Sequence, residues 1–568
     1  MKQIILSIKN IFKELNPWVN IKILHTNLKS DILAGIMVAI IALPLALAFG
    51  EVSGLGPEAG IWSAIVGGVI GGLFGGCIVG VSGPTAPMAS QIATFMGVII
   101  GTTNHPDITA AFSIIFLSGF ILVVFSILRI SRFINYLPYS VIAGFMCGIG
   151  VIIILSQLNG FVGLDSEPNI VKMFSNISYT IQNINKEALY VSIPSLLILL
   201  LWSFFEKKIK FLQNIPSPLV ALIFGTGIAY CMNLDIPYIG DQMDNARTSK
   251  VFSFYLPNLD RISEFILPAL ALAGLALLDS LLSCKVADHM IGLRHSSDRE
   301  TFGQGMANMA AGLFGGISTA TATTQTVGNI TFGAKTPLST IVKGLTLFAV
   351  LSGLSYLVAA IPIACLAAIL FKLGFDILDY RILPVLKKIP LLDLFIFLIV
   401  LFITVYKNLM FAVFVGFVFA VLLSLKKIKL VLRKKYNHKI IPFLESDFYS
   451  DKYDKIKLEN LPIIILQPKG PLFFGSIESL INSYSSSIKH EIVIIDMVDV
   501  NEIDLSGAYA LEDLIKAANS QNIKVFVSNI QPTVRTILSR LDFINNIGKN
   551  NCIDSKKTVI STILERYS

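Results

Sequence analysis

The chain has 568 residues, 54% of them hydrophobic and 14% charged, against about 25% charged in a soluble domain, so most of it is not a water-soluble globule. The net charge of +8 does not point to nucleic acid, because Lys and Arg gather at the ends of apolar runs, where they set orientation in a bilayer. The six cysteines, Cys77, Cys147, Cys231, Cys284, Cys365 and Cys552, contain no CxxC pair and mostly lie in apolar runs; they imply neither a zinc site nor a disulfide framework.

Residues 1–30 carry five lysines, with Trp18 and His25 as interface anchors. No small-residue cleavage site precedes the first apolar run, so this segment is expected to remain, on the cytosolic side. A bilayer crossing needs about 20 mostly apolar residues. Runs of that kind begin near 32, 59, 85, 110, 140, 191, 218, 266, 303, 321, 339, 361, 393 and 409, roughly fourteen in all. Those at 85 and 321 are too short or too polar for simple spans. Basic loops occur at the N-terminus and at 129–132, 206–208, 294–299, 381–388 and 426–435. With a cytosolic N-terminus all of them fall inside, as the positive-inside rule requires. The outer segments 51–58 and 101–107 carry no Lys or Arg, and the longer loops 163–187 and 233–264 are mixed. An odd number of segments in each half, about seven, gives repeats of opposite orientation. The expected organisation is a first transmembrane repeat over 31–256 and a second over 257–435.

After Lys435 the character changes. Short β-branched runs at 462–466, 492–497 and 523–527 predict strands. Amphipathic runs at 477–485, 509–520 and 532–541 predict helices. Their alternation describes a small α/β domain over 436–568, cytosolic because it follows the last basic loop.

Within the apolar region, Gly72-Leu73-Phe74-Gly75-Gly76 returns as Gly312-Leu313-Phe314-Gly315-Gly316. Ser82-Gly83-Pro84-Thr85-Ala86-Pro87 follows the first copy, and Ser318-Thr319-Ala320-Thr321-Ala322-Thr323 the second. Small residues alone could serve close helix packing. Two interrupted segments at matching places in two halves instead indicate the substrate site of a secondary transporter, because a broken mid-membrane helix is tolerated only where protein or a wet cavity covers it. An anion would sit between the two broken helices, whose N-termini offer free N–H groups and partial positive charge. Ser82, Thr85 and Ala86 on one side, and Ala322, Thr323 and Thr324 on the other, are the candidates; the hydroxyls could equally back-bond to a helix carbonyl.

Asp279 lies near the middle of the apolar run 268–286. A mid-bilayer carboxylate costs about 2.5–3.5 kcal/mol or more and is a functional candidate by default. Ser283 is one helical turn on, on the same face. Carboxylate, hydroxyl and main-chain carbonyls form a hard oxygen set suited to a small cation. Pairing of Asp279 with Lys285, or a proton on Asp279, are the other readings. Pro44 would bend the first helix beside the site.

The strings Ala42-Leu43-Pro44, Gly80-Val81-Ser82-Gly83-Pro84-Thr85, Asp279-Ser280 through Ser283 to Asp288, and Gly303-Gln304 through Asn308 resemble the SulP anion-permease family. Gly470 through Gly475, and Ile503-Asp504-Leu505-Ser506-Gly507, resemble the STAS domain that these permeases carry. The resemblance covers nearly the whole chain. It implies an α-helical integral membrane protein in a seven-plus-seven inverted repeat like that of uracil permeases, a mobile core domain beside a gate domain, a homodimer, and a small cytosolic α/β STAS domain. Asp279 with Ser280, and Arg294 through Glu300, bring it nearest to the sodium-coupled bicarbonate symporters of the family. It places Asp279, Ser283, Thr321, Ala322 and Thr323 around sodium. The chain departs from the family at Gln325, where relatives usually carry arginine, so the anion loses a fixed positive partner. Ser506 stands where soluble STAS proteins are phosphorylated, though it also suits a helix N-cap. His289 and His295 read as surface residues.

The function implied is secondary active transport of an inorganic anion, favouring sodium-coupled bicarbonate symport by an elevator-type motion. A sulfate or other anion permease, coupled to protons or working by exchange, is the alternative, and a STAS-coupled membrane sensor a third. No nucleophile–base set or phosphate loop suggests an enzyme, and no cofactor beyond Na+ as coupling ion is expected. The expected setting is the inner (plasma) membrane with both termini cytosolic. The partners are the lipid bilayer and a cytosolic protein at the STAS domain.

Overall fold

The computed structural model describes residues 16–102, 108–131, 139–164, 177–208, 215–241, 254–258, 260–291, 294–353, 355–378, 391–406, 415, 439–443, 463–472, 491–520, 523–541, 543, 551–553, 558–560 and 562–563. Contacts divide the chain into two compact bodies. The first comprises 1–132, 146–378 and 401–414; the second comprises 133–145, 379–400 and 415–568.

The first body is helical. Short helical turns at Trp18–Ile21 and Leu24–Asn27 lead into α1 (Leu28–Val52). Pro44 lies inside α1 and is buried. Asp31, in the first turn of α1, is fully buried. It accepts from the Lys335 N–H (2.8 Å) and from the Thr336 hydroxyl (2.6 Å), tying the start of α1 to the second half of the chain. Helix α2 (Pro57–Val66) opens on proline at its first turn, where the missing N–H costs nothing. It packs on α1 so closely that a β-carbon on Gly60 would stand 1.8 Å from the Ala46 carbonyl oxygen. Only glycine allows that approach. α2 continues through a π-helical turn at Gly67–Gly71 and ends in Gly72–Phe74.

Strand β1 (Ser82–Pro84) then precedes α3 (Ala86–Thr102), α4 (Ile108–Ile127), α5 (Tyr139–Phe161), α6 (Lys186–Lys208) and α7 (Ser217–Met232). The second half opens on the same helix–helix–strand–helix order. Helix α8 (Ile262–Ile291) is followed by α9 (Ser297–Leu313), strand β2 (Thr319–Thr321), α10 (Thr323–Thr331), α11 (Leu338–Gly353), α12 (Ile363–Ile377) and α13 (Leu391–Tyr406). Each Gly-Leu-Phe-Gly-Gly string closes a helix. In the second copy Gly315 adopts φ +73, the left-handed conformation common just past a helix C-terminus.

Among the described residues, five helical segments are long and apolar enough to cross a membrane: Trp18–Val52, Pro57–Phe74, Ile108–Ile127, Tyr139–Phe161 and Ile262–Asp288. Ser217–Met232, Leu338–Gly353 and Asp393–Tyr406 are shorter apolar helices. The runs expected at 85 and 321 are strand–helix units. The nine residues of α10 rise only about 1.5 Å each and cannot cross a bilayer. Residues 409–414, where the last run was expected to begin, lie outside the described residues, as does the helix expected at 477–485.

The second body contains a five-stranded sheet ordered β3-β4-β5-β6-β7. β3 (Lys439–Pro442) runs antiparallel to β4 (Ile463–Gln467), while β5 (Ile492–Asp496), β6 (Lys524–Ser528) and β7 (Cys552–Ile553) continue in parallel. Helices α14 (Leu505–Ser520) and α15 (Pro532–Arg540) form the connections after β5 and β6. β5 is buried along its whole length, as parallel strands covered on both faces require. Ile465, Ile494, Phe526 and Ile560 are among its core residues. The Asp504 carboxylate accepts the Gly507 N–H at 2.8 Å and so caps α14. This corrects the N-cap reading of Ser506, which lies inside the helix, second after the cap.

Candidate functional site

The two short strands meet. β1 and β2 pair antiparallel, with Ser82 opposite Thr321, Gly83 opposite Ala320 and Pro84 opposite Thr319. The equivalent strings of the two halves therefore run in opposite directions where they cross. Their half-helices begin immediately afterwards, α3 at Ala86 and α10 at Thr323. Polar main chain at such a point is tolerated because it is buried in protein and paired. The Ala322 N–H, for example, donates to the Val81 carbonyl at 2.9 Å.

A stripe of polar side chains on α9 supports the crossing. Glu300, Gln304 and Asn308 follow at intervals of four and are buried, on one face of a helix otherwise rich in Gly and Ala. The Glu300 carboxylate accepts the N–H groups of Gly76 (2.8 Å) and Cys77 (2.9 Å), the Gln304 amide (2.9 Å) and the Thr321 hydroxyl. The Gln304 amide nitrogen also contacts the hydroxyl oxygens of Ser82 (2.6 Å) and Thr321 (2.9 Å). The Asn308 side-chain oxygen accepts the Thr319 N–H and the Ser318 hydroxyl, each at 2.7 Å. A fully satisfied buried network of this kind makes a site rigid. On the opposite side the Val81 N–H donates to Thr326 Oγ1 (3.0 Å), and Asn329 Nδ2 donates to the Val79 carbonyl (2.9 Å).

Helix α8 brings Asp279 and Ser283 to the same place. Ser283 Oγ lies 2.6 Å from Thr323 Oγ1, at the first residue of α10. Ser280 Oγ accepts the Thr321 N–H at 3.1 Å. Thr85, just before α3, is the polar neighbour of Asp279. Asp279 Oδ2, Thr85 Oγ1 and Gln325 Oε1 are all buried; the Thr85 hydroxyl is turned towards the Asp279 carboxyl, and among the described residues none of the three atoms has a well-formed hydrogen bond to any other group. Buried polar atoms left unpaired are costly; the Asp279 and Gln325 oxygens at one crossing are open to a ligand. Thr323 and Thr324 are exposed, whereas Gln325 is buried.

The structure thus brings Asp279, Ser283, Thr85 and Thr323 together. Ser82 and Thr321, expected on the anion and the cation respectively, turn their hydroxyls into the Glu300–Gln304 network. Ala322 spends its N–H on Val81, so the free amide expected of it is not available to an anion. His295 corrects the surface reading: its side chain is 5% exposed. Its ring lies 2.7 Å from the Asp288 carboxylate and 3.0 Å from Ser297 Oγ, clamping the turn between α8 and α9. Glu300, which holds the crossing through four hydrogen bonds, was missed, although the four-residue spacing of Glu300, Gln304 and Asn308 was a readable signal.

The sequence pattern of the sulfate permease family matches residues 28–400, and that of the STAS domain residues 455–559. The chain is 31% identical over 559 residues to the bicarbonate transporter BicA of Picosynechococcus sp., covering 95% of each chain. It is 29% identical to the putative sulfate transporter YvdB of Bacillus subtilis, covering 93% of this chain and 96% of that one. The solved transmembrane domain of a cyanobacterium bicarbonate transporter BicA shares 32% identity at a TM-score of 0.61, covering 68% of this chain and 98% of that one. The overall structure of SLC26A9 shares the fold at a TM-score of 0.64 with 19% identity, covering 98% of this chain and 94% of that one. With crossed strands between two half-helices, a five-stranded C-terminal sheet and both patterns matched in order, this multi-pass membrane chain belongs to the sulfate permease family, as an anion transporter with a C-terminal STAS domain.

Proposed function

We propose that the protein is a sodium-coupled bicarbonate symporter. One observation carries this reading: Asp279 projects a buried carboxylate oxygen whose polar neighbour is the Thr85 hydroxyl, one turn from the Ser283–Thr323 hydroxyl pair. Carboxylate and hydroxyl oxygens suit a hard monovalent cation, which is cargo here. With sodium on Asp279, the anion binds beside it near the starts of α3 and α10, at Thr85, Ala86, Thr323, Thr324 and Gln325, where helix N-termini favour negative charge. Each cargo makes the other's binding more favourable, and this is the coupling. The similarity to BicA supports bicarbonate over sulfate.

In this reading the two halves form an inverted repeat. The crossing, stiffened by Glu300, Gln304 and Asn308, moves as one body against the rest in an elevator-type motion. The protein works as a homodimer in the inner membrane with both termini cytosolic, and the STAS domain, with Ser506 on α14, meets a cytosolic partner. The test is uptake of labelled bicarbonate and labelled sulfate into proteoliposomes with and without a sodium gradient. Sulfate uptake that ignores sodium would replace this reading with that of an uncoupled sulfate permease.

A further inference from the structure

Among the described residues, Lys343 on α11 heads the fully buried side chains by size, with 0% exposure. Its Nζ donates to the main-chain carbonyls of Ser82 (2.8 Å) and Ala64 (3.0 Å). Ser82 belongs to β1, so the lysine reaches the strand crossing itself. An ammonium has three N–H donors, and the two carbonyls take two of them. No carboxylate forms an ion pair with it among the described residues. Burying a charge without a counter-charge costs several kcal/mol, a cost that an incoming anion offsets.

Lys343 also reaches the neighbourhood of Gln325. A β-carbon built on Gly83 would stand 3.0 Å from Lys343 Nζ and 3.7 Å from Gln325 Oε1. The ammonium and the Gln325 carboxamide therefore converge on one point beside the crossing. Gln325 is 1% exposed, and its Oε1 has no hydrogen-bond partner among the described residues. A side chain at 83 would crowd the ammonium, and glycine leaves it in place.

We propose that the Lys343 ammonium, reaching in from α11 beside Gln325, supplies the positive charge of the anion site. This rests on the anion-site reading above and adds a specificity to it. With sodium on Asp279, the cation and the carboxylate cancel. Lys343 then balances one negative charge, so a monoanion closes the site neutral and a dianion leaves it one charge in excess. Excess charge in a dry site is penalised heavily, which selects bicarbonate over sulfate by charge rather than by size.

The test compares uptake of labelled bicarbonate and labelled sulfate by full-length wild type, Lys343→Gln and Lys343→Gln/Gln325→Arg in proteoliposomes. Lys343→Gln should raise the KM for the transported anion at least about tenfold, the loss expected for one charge-assisted contact, while moving the KM for sodium little. Arginine at 325 should restore most of the anion affinity. An unchanged anion KM in Lys343→Gln overturns the proposal. So does a double variant as impaired as the single one, whether by misfolding or by lost transport, because a lysine that only staples Ser82 to Ala64 cannot be replaced by a charge on α10. A wild type that carries sulfate, or that ignores sodium, removes the bicarbonate reading instead. Lys343 is then judged on the KM of whichever anion is carried.

Discussion

Asp279→Asn keeps the size of the side chain and removes its charge, so it isolates the electrostatic part of the cation site. Two unit charges about 4 Å apart at an effective dielectric near 20 attract by about 4 kcal/mol, close to three powers of ten in affinity. Sodium should therefore fail to bind the variant at any practical concentration. The carboxylate also has a cost in the empty state, because Oδ2 is buried without a well-formed hydrogen bond among the described residues. Mid-bilayer insertion scales put that cost at about 2.5–3.5 kcal/mol. Removing it should leave the sodium-free variant at least as stable as wild type. The assay is thermal unfolding in detergent, with sodium chloride set against choline chloride at equal ionic strength, followed by uptake in proteoliposomes. Wild type should gain stability with sodium, by about 2.7 kcal/mol at a hundred times its Kd, and the variant should gain none. Its sodium-driven bicarbonate uptake should fall to background. A variant that keeps the sodium-dependent stabilisation, or near-normal sodium-dependent uptake, would remove Asp279 from the cation site.

Glu300→Gln should lower stability by about 3 kcal/mol, because the new amide group confronts donors that the carboxylate accepted, and each group left unpaired costs about 1–3 kcal/mol; an unchanged thermal midpoint would show that the network relaxes freely. Gln325→Arg, in the otherwise native chain, should weaken the dependence of uptake on sodium, because Lys343 and the new arginine together neutralise a monoanion and an ionised Asp279 without the cation; an unchanged sodium dependence would show that residue 325 does not face the substrate. Deleting 436–568 should leave anion and sodium affinities within about threefold, less than the loss of one contact, while lowering oligomer mass or transport rate; a large loss of affinity in a folded truncation would bring the tail to the site.

The long apolar helices were readable because a bilayer imposes one simple demand, about 20 apolar residues per crossing. The strands of the C-terminal sheet were readable for a similar reason, since buried parallel strands become short β-branched runs; β4, β5 and β6 lie within one residue of the runs that announced them. The crossing was only half readable. Gly, Pro, Ser and Thr marked two interruptions, but a three-residue strand has no period of its own, and its partner lies more than two hundred residues away. What Ser82 and Thr321 would face therefore could not be read from their own neighbours. Their hydroxyls turn to α9 because Gln304 and Glu300 stand there.

The two buried charges that matter most to the site differed in legibility for a physical reason. An acid in the middle of an apolar run has a short side chain and no route to water, so Asp279 carried a functional reading wherever its helix went. A lysine has a long apolar stem and can carry its ammonium to the membrane surface from several positions along a helix. Lys343 in the run 338–353 therefore had an innocuous explanation that only the fold removes. In the structure the stem points inward, and the ammonium ends on the Ser82 and Ala64 carbonyls, wholly out of solvent. The departure from the family at Gln325 and the buried lysine on α11 looked unrelated in the sequence, eighteen residues apart on separate helices. Gly83 joins them, since both side chains end within 4 Å of where its β-carbon would be. A permease that gave up the charge on α10 without another source would have to rely on helix dipoles and the cation alone. Lys343 removes that requirement while leaving sodium to neutralise Asp279, which is why charge at 343 and charge at 325 should substitute for each other and charge at 279 should not.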